Sequence, residues 1–168
     1  RELKLETRVR VRGTVIATPT ISTGQIFYIA DEQSGMQIYS SKKDFPPLEI
    51  GDTIEVSGTV GEANKERRVR IAAPDAIKTV GRGIAPPATE VTIANLTDEL
   101  IGRLVRLSGT VVARTSSGFT TEDASGELTI SLGESSGVAT PEEGDEISIV
   151  GVLGRGRQNY RLFQWIYK

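Results

Sequence analysis

The sequence predicts an all-β protein built as two tandem five-stranded barrels, and three observations carry that reading. The chain repeats itself: Val9-Arg10-Val11-Arg12-Gly13-Thr14-Val15 returns as Val105-Arg106-Leu107-Ser108-Gly109-Thr110-Val111. The signals after each copy keep their order, with Phe27-Tyr28-Ile29-Ala30-Asp31 matching Phe119-Thr120-Thr121-Glu122-Asp123 and Gly51-Asp52-Thr53-Ile54 matching Gly144-Asp145-Glu146-Ile147. The spacing is 96 positions between Gly13 and Gly109, 92 between Asp31 and Asp123 and 93 between Asp52 and Asp145. A drift that small marks one duplicated module with length changes confined to loops. Finally, Val, Ile and Thr alternate with polar residues in short runs broken by Gly, Pro, Asn or Asp, the pattern of short strands.

In the first copy, strands are predicted near 7–17, 25–30, 36–40, 53–61 and 66–72. In the second they are predicted near 103–114, 118–122, 127–131, 146–153 and 158–166. Each first strand is long and carries an internal glycine, Gly13 or Gly109, where a bend lets one strand pair with both halves of a small barrel. Ser34-Gly35 and Ser125-Gly126 predict tight second-to-third turns. Asp31 and Asp123 open those turns, since a carboxylate there takes backbone N–H groups two residues on. That role accounts for both without a metal, because no dense run of oxygen ligands surrounds either one. Asp52 and Asp145 follow a glycine into the fourth strand, another turn position, and Glu142-Glu143 reads as a solvated turn. A helical turn is expected around Ser41–Phe45, stopped by Pro46-Pro47.

Residues 1–80 are assigned to the first module, 81–98 to a linker and lead-in, and 99–168 to the second module. Gly81–Ala88 reads as a semi-rigid extended linker. Thr97-Asp98-Glu99-Leu100-Ile101 predicts a helical turn, with an N-cap threonine before acidic first-turn residues. Five strands, a kinked first strand, a tight second-to-third turn and an insertion before the fourth strand together describe the OB-fold, a five-stranded Greek-key barrel.

Composition narrows the functions. The 168 residues contain no cysteine and no histidine, which excludes disulfides, thiol chemistry, a histidine general base and the usual zinc ligands. Cysteine absence selects no compartment. No apolar run approaches the roughly 18 residues of a membrane span, and Arg1 opens directly into charged sequence, as in a mature or excised soluble piece. Residues 1–80 carry 12 basic and 11 acidic side chains, against 8 and 11 in residues 81–168. Only the first module therefore has the charge for a basic surface. No nucleophile and base pair and no unusual carboxylate pair emerges, so the chain is expected to be neither an enzyme nor a carrier of a cofactor or metal.

The second module adds a resemblance. The run Ala88-Thr89-Glu90-Val91-Thr92-Ile93-Ala94-Asn95-Leu96, then Leu100 through Val112, Gly118-Phe119 and Asp123-Ala124-Ser125-Gly126, resembles OB-fold modules found beside catalytic domains in secreted bacterial nucleases and other exported multidomain proteins. The resemblance spans most of the second module and, less closely, the first. It implies an accessory nucleic-acid-binding module of a larger bacterial protein, outside the cytoplasm in the extracellular or periplasmic space, and it transfers no catalytic residue.

Strand alternation assigns faces. Val9, Val11, Phe27, Ile29, Met36, Ile38, Ile54, Val56, Val69 and Ile71 form the inward set of the first module. The outward set holds Arg8, Arg10 and Arg12 on the first strand, Tyr28 on the second, Gln37 and Tyr39 on the third, and Arg68 and Arg70 on the fifth. Guanidinium groups pair with phosphates and aromatic rings offer sequence-tolerant stacking, so this set points to single-stranded DNA or RNA. Lys42 and Lys43 extend the track. The candidate contacts are thus Arg10, Arg12, Tyr28, Gln37, Tyr39, Lys42, Lys43, Arg68 and Arg70. Edge-protecting charges balanced by Glu2, Glu6, Glu55 and Glu66 explain the same arginines. The equivalent face of the second module carries Glu122 and Glu127, which repel phosphate. Its C-terminal run Tyr160-Arg161-Leu162-Phe163-Gln164-Trp165-Ile166-Tyr167 is assigned to core or inter-module packing, with a stacking or partner surface as the alternative. Two other readings share the fold: a structural or protein-interaction module that docks other domains of the same polypeptide or a protein partner, and an oligosaccharide-binding module.

Overall fold

The computed structural model describes residues 3–133 and 139–167, with side chains as far as Phe163. The strands are β1 (Arg8–Ala17), β2 (Ile26–Ala30), β3 (Gly35–Tyr39), β4 (Asp52–Ala63), β5 (Glu66–Arg70), β6 (Ile77–Arg82), β7 (Thr89–Glu90), β8 (Leu104–Thr115), β9 (Gly118–Asp123), β10 (Gly126–Ser131), β11 (Glu146–Arg155) and β12 (Tyr160–Tyr167). Among the described residues helix is confined to single turns such as Pro19–Ile21, Ile93–Asn95 and Asp98–Leu100.

Each first strand changes partner halfway along. Arg8–Thr14 lies antiparallel to β4, and from Thr14 onward β1 lies along β2. Thr110 does the same in the second copy, facing Glu146 of β11 and Glu122 of β9. The bend falls next to Gly13 and Gly109. A Cβ on Gly13 would stand 3.2 Å from the Ile29 Cβ, and one on Gly109 would run into the Glu122 carbonyl. The barrels then close in the order β1-β2-β3-β5-β4 and β8-β9-β10-β12-β11, with β3–β5 and β10–β12 parallel. These are two tandem OB-fold barrels. Val15, Phe27, Ile29, Ile38, Ile54, Val56, Val69 and Ile71 fill the first, while Val105, Leu107, Val111, Phe119, Leu128, Ile130, Ile147, Ile149, Leu153 and Leu162 fill the second.

Three local expectations need correction. Ser41–Phe45 forms a turn and no helix: Lys43 sits at φ 58 and the Ser40 hydroxyl bonds Asp44 Oδ1 at 2.7 Å. A few residues ahead of two prolines cannot meet the cost of a helix nucleus. The β2–β3 turn also aligns differently. Asp31 Oδ1 accepts the Gln33 and Ser34 N–H groups at 2.8 and 2.7 Å, and Asp123 Oδ1 accepts those of Ser125 and Gly126 at 2.7 and 3.1 Å. Gly126 therefore corresponds to Ser34, not to Gly35. Lastly, β6 and β7 join the sheets from within the stretch read as module end and linker. β6 runs along β4 beyond the point where β5 leaves it, and β7 lies parallel to β8.

The barrels pack directly on each other. Ile16, Ala17, Ile21, Tyr28 and Ala30 of the first form one buried cluster with Leu104, Val150, Val152 and Phe163 of the second. Strand β11 is consequently buried on both faces: Ile147, Ile149 and Leu153 point into its own barrel, and Val150 and Val152 toward the other. Glycines let the backbones meet. Gly35 lies against Gly102, whose φ is 79, and Gly133 lies against Thr20. Substituting Gly35 by Ala would drive a methyl into the Gly102 carbonyl, whereas a Cβ on Gly81 meets nothing within 4 Å. Urea denaturation is expected to show a loss of about 1–3 kcal/mol for Gly35→Ala and a change within about 0.5 kcal/mol for Gly81→Ala. Equal midpoints for the two variants would contradict this close inter-barrel contact.

Candidate nucleic-acid interface

Strand β1 alternates as its sequence requires. Arg8, Arg10 and Arg12 are exposed, while Val9 and Val11 pack against the core. The two-residue step along a strand is about 6.8 Å, so the three guanidinium groups form an evenly spaced row. Register places Thr59, Ser57 and Glu55 of β4 opposite them. Beyond Thr59 comes Arg70 of β5, and beyond Arg70 comes Tyr39 of β3. Lys78 of β6 faces Glu55 from the other side of β4. Arg8, Arg10 and Arg12 have no ion-pair partner among the described residues.

Two further guanidinium groups are held in place. That of Arg68 lies over the Tyr39 ring, its Cζ 3.8 Å from the ring centroid. Burial lowers its pKa, with Tyr39 and Glu66 acting in the opposite direction and Arg70 adding to the fall. Arg70 folds across Gly61, where any side chain would meet it, and donates to both carboxylate oxygens of Glu6 at 2.8 and 2.7 Å. This pair is exposed, and such pairs contribute at most about 1 kcal/mol, so a phosphate can compete for the arginine. The Nε atoms of Arg68 and Arg70 are buried with no hydrogen-bond partner.

Tyr28 and Gln37 do not belong to this surface. They are 0% and 7% exposed, covered by the second barrel. The Tyr28 hydroxyl donates to Glu66 Oε1 at 2.9 Å, the Gln37 amide donates to the Tyr28 oxygen at 2.8 Å, and the Arg155 backbone N–H donates to Glu66 Oε2 at 3.0 Å. Alternation correctly turns both residues away from their own core, but it cannot say what covers the outer face. Lys42 and Lys43 are exposed beyond the Tyr39 end of β3; the Lys43 stem passes Gly24, and Gln25 Nε2 bonds the Ser41 carbonyl at 3.2 Å. The structure therefore groups Arg10, Arg12, Tyr39, Arg68 and Arg70, adds Arg8, Ser57, Thr59 and Lys78, and removes Tyr28 and Gln37. Alternation had already turned Arg8 outward. Ser57, Thr59 and Lys78 join only through strand register.

The second barrel has its own concavity. A cleft of about 410 Å³ is lined by Thr120, Glu127, Thr129, Arg155, Asn159 and Tyr160 among others. Arg155 pairs with Asp98 and lies 4.9 Å from the Tyr160 ring centroid, and the Tyr160 hydroxyl donates to Asp98 at 2.6 Å. Of the C-terminal aromatic run, Leu162 lies in the second core and Phe163 between the barrels. The side chains of Gln164, Trp165, Ile166 and Tyr167 lie outside the described residues. The oxygens of Asp31 and Asp123 serve their turns, and among the described residues no three acidic side chains converge as metal ligands.

No protein-family model and no curated protein matches the chain. Solved structures with a similar course include the p204 HINb domain, at 14% identity over 94% of this chain and 92% of that one with a TM-score of 0.43. A murine DNA-binding protein bound with double-stranded DNA matches at 18% identity over 91% and 89%, with a TM-score of 0.43. The single-stranded DNA-binding protein from Thermus aquaticus matches at 14% identity over 99% and 93%, with a TM-score of 0.32. At this level the likeness leaves the ligand open, and the site rests on its own geometry.

Burial raises the Glu66 carboxyl above its ordinary value, against the opposing pull of the Arg155 N–H, the Tyr28 hydroxyl and the nearby guanidinium charges. A carboxyl raised on folding stabilises the fold fully below its unfolded pKa and loses that contribution as pH rises through the folded value. Stability measured against pH should therefore fall across that window in the natural chain, and the fall should be absent from Glu66→Gln. Parallel pH profiles for the two proteins would show that Glu66 is not the group responsible.

Proposed function

We propose that the outer face of β1, β4 and β5 binds single-stranded nucleic acid, DNA or RNA, without catalysing a reaction. The observation that carries this reading is the row of Arg8, Arg10 and Arg12, three exposed guanidinium groups in even steps with no carboxylate paired to them among the described residues. Arg70 extends the row across β4, and Arg68 is held over the Tyr39 ring, where the pair offers a stacking surface for a base. Guanidinium planes stack bases and pair phosphates with the same group. With one aromatic ring at the site and an arginine already lying on it, phosphate contacts dominate. Binding should be salt-sensitive and nearly indifferent to base identity. A flexible single strand can follow a curved barrel face, whereas a stiff duplex meets such a face over a short arc. We also propose, from the sequence resemblance, that the chain serves as an accessory part of a larger exported polypeptide.

The cleft of the second barrel favours a second reading there. Tyr160, Asn159, Gln158, Glu127 and two threonines combine an aromatic face with neutral and acidic hydrogen-bonding groups, a set suited to an uncharged polyhydroxylated ligand such as an oligosaccharide.

A titration of labelled oligonucleotide at several salt concentrations tests the nucleic-acid reading. Affinity should fall with salt, and each arginine changed to Ala among Arg8, Arg10 and Arg12 should flatten the logarithmic slope by about 0.7, the value per phosphate for single strands. Tighter binding of duplex than of single strand would reject the single-strand assignment. Absence of binding at low salt would reject the whole proposal.

A further inference from the structure

The proposed nucleic-acid face carries an anion of its own, the Glu6 carboxylate, seated on Arg70. Glu6 stands just ahead of β1 and is tied to β4 through the backbone. Its N–H donates to the Val60 carbonyl at 2.9 Å, and the Val60 N–H donates to the Thr7 carbonyl at 2.9 Å. Its φ is 59, in the left-handed region that a residue with a Cβ enters only at a cost. Pairing with β4 therefore sets the point from which the carboxylate leaves the chain. Arg70 is held as firmly. It folds across Gly61, where an added Cβ would stand 2.9 Å from its Cδ and Nε, and that Nε is buried without a hydrogen-bond partner.

Strand register puts this pair in the path of a ligand. Arg8 lies opposite Thr59, and Thr59 lies opposite Arg70. Residues directly opposite in antiparallel strands project from the same side of the sheet. Arg70 in turn lies beside Tyr39, whose ring carries the Arg68 guanidinium. It is thus the step between the β1 row and the Arg68–Tyr39 pair, and a polyanion running from one to the other crosses the place that the Glu6 carboxylate holds. The hold is weak by design of its geometry. Both Glu6 oxygens fall on Nη2, at 2.8 and 2.7 Å, instead of spanning the two-nitrogen fork that grips a carboxylate or a phosphate most firmly.

We propose that Glu6 is a built-in competitor for a phosphate seat at Arg70. The proposal rests on the nucleic-acid reading of this face and adds its regulation. A phosphate reaches Arg70 by displacing the Glu6 carboxylate. A phosphodiester already anchored on Arg8, Arg10 and Arg12 brings its next phosphates to Arg70 at high effective concentration, so it wins that exchange. An isolated anion, or a carboxylate on an acidic protein surface, meets an arginine that is already occupied. Glu6 therefore lowers the affinity of the face for every anion but lowers it least for a chain of phosphates long enough to engage the β1 row first. The seat at Arg70 is selective for length and charge density, and the β1 row is not.

Anisotropy titrations with a labelled oligothymidylate of roughly ten nucleotides, a length within the site size of one OB-fold, test this. Glu6→Gln keeps the length of the side chain and removes its charge. Affinity at low salt should rise about threefold, the worth of an exposed ion pair, and the logarithmic salt slope should steepen by up to about 0.7, the value of one phosphate on a single strand. Glu6→Gln combined with Arg70→Ala should bind no tighter than Arg70→Ala alone, because nothing is left to compete for. Glu62→Gln takes the same charge from the pair with Arg67 and should leave affinity within about twofold. Thermal unfolding of each variant confirms that the fold is kept. A gain from Glu6→Gln that persists without Arg70, or an equal gain from Glu62→Gln, would reduce the effect to net charge and overturn the proposal. Unchanged affinity of Glu6→Gln, with the natural chain binding, would overturn it and leave the nucleic-acid reading standing. Binding by none of these proteins would sink both.

Discussion

The joint between the barrels turns on one buried carboxylate. Glu66 ends the β4–β5 hairpin with 4% exposure, and its oxygens receive the Tyr28 hydroxyl and the Arg155 backbone N–H. A carboxylate taken from water is tolerable only when its acceptor sites are filled, and removing one donor leaves the remaining charge costly. Here the donors come from both barrels. Glu66 thereby ties the end of β11 to β2, β3 and β5. The apolar cluster around Ile16, Val152 and Phe163 supplies the attraction, and the polar network makes the geometry specific.

That joint decides which surface is left to function. By covering Tyr28 and Gln37 it takes β2 and much of β3 out of contact with solvent and leaves the convex side of β1, β4 and β5 open. The open side is where the arginines gather. Arg67 and Arg70 are drawn to Glu62 and Glu6, but the β1 row has no such partner among the described residues. The duplicated scaffold has thus diverged by charge. The second barrel carries acidic Glu122 and Glu127 on the face equivalent to that of β2 and β3, and it holds Arg155 against Asp98.

Each sheet gains a sixth strand beyond its five-stranded barrel. The first barrel extends β4 with β6, and the second extends β8 with β7. Each addition occupies a stretch of strand edge that the five-stranded barrel leaves unpaired, and unpaired edges invite further pairing.

The strand pattern, the repeat and the glycines in β1 and β8 sufficed to determine the OB-fold and the inward set, because periodicity of two and the need to bend one long strand are local properties. Local too were the carboxylate turns at Asp31 and Asp123, which bond within three residues of themselves. The outward direction of Arg8, Arg10 and Arg12 followed in the same way. What surrounds an outward residue was beyond reach. Tyr28 alternates as Arg10 does, yet it is buried, because contact between barrels depends on surfaces far apart in sequence. Arg68 on Tyr39 and Glu66 beneath Tyr28 likewise arise from contacts across strands, and only the tertiary structure could decide them.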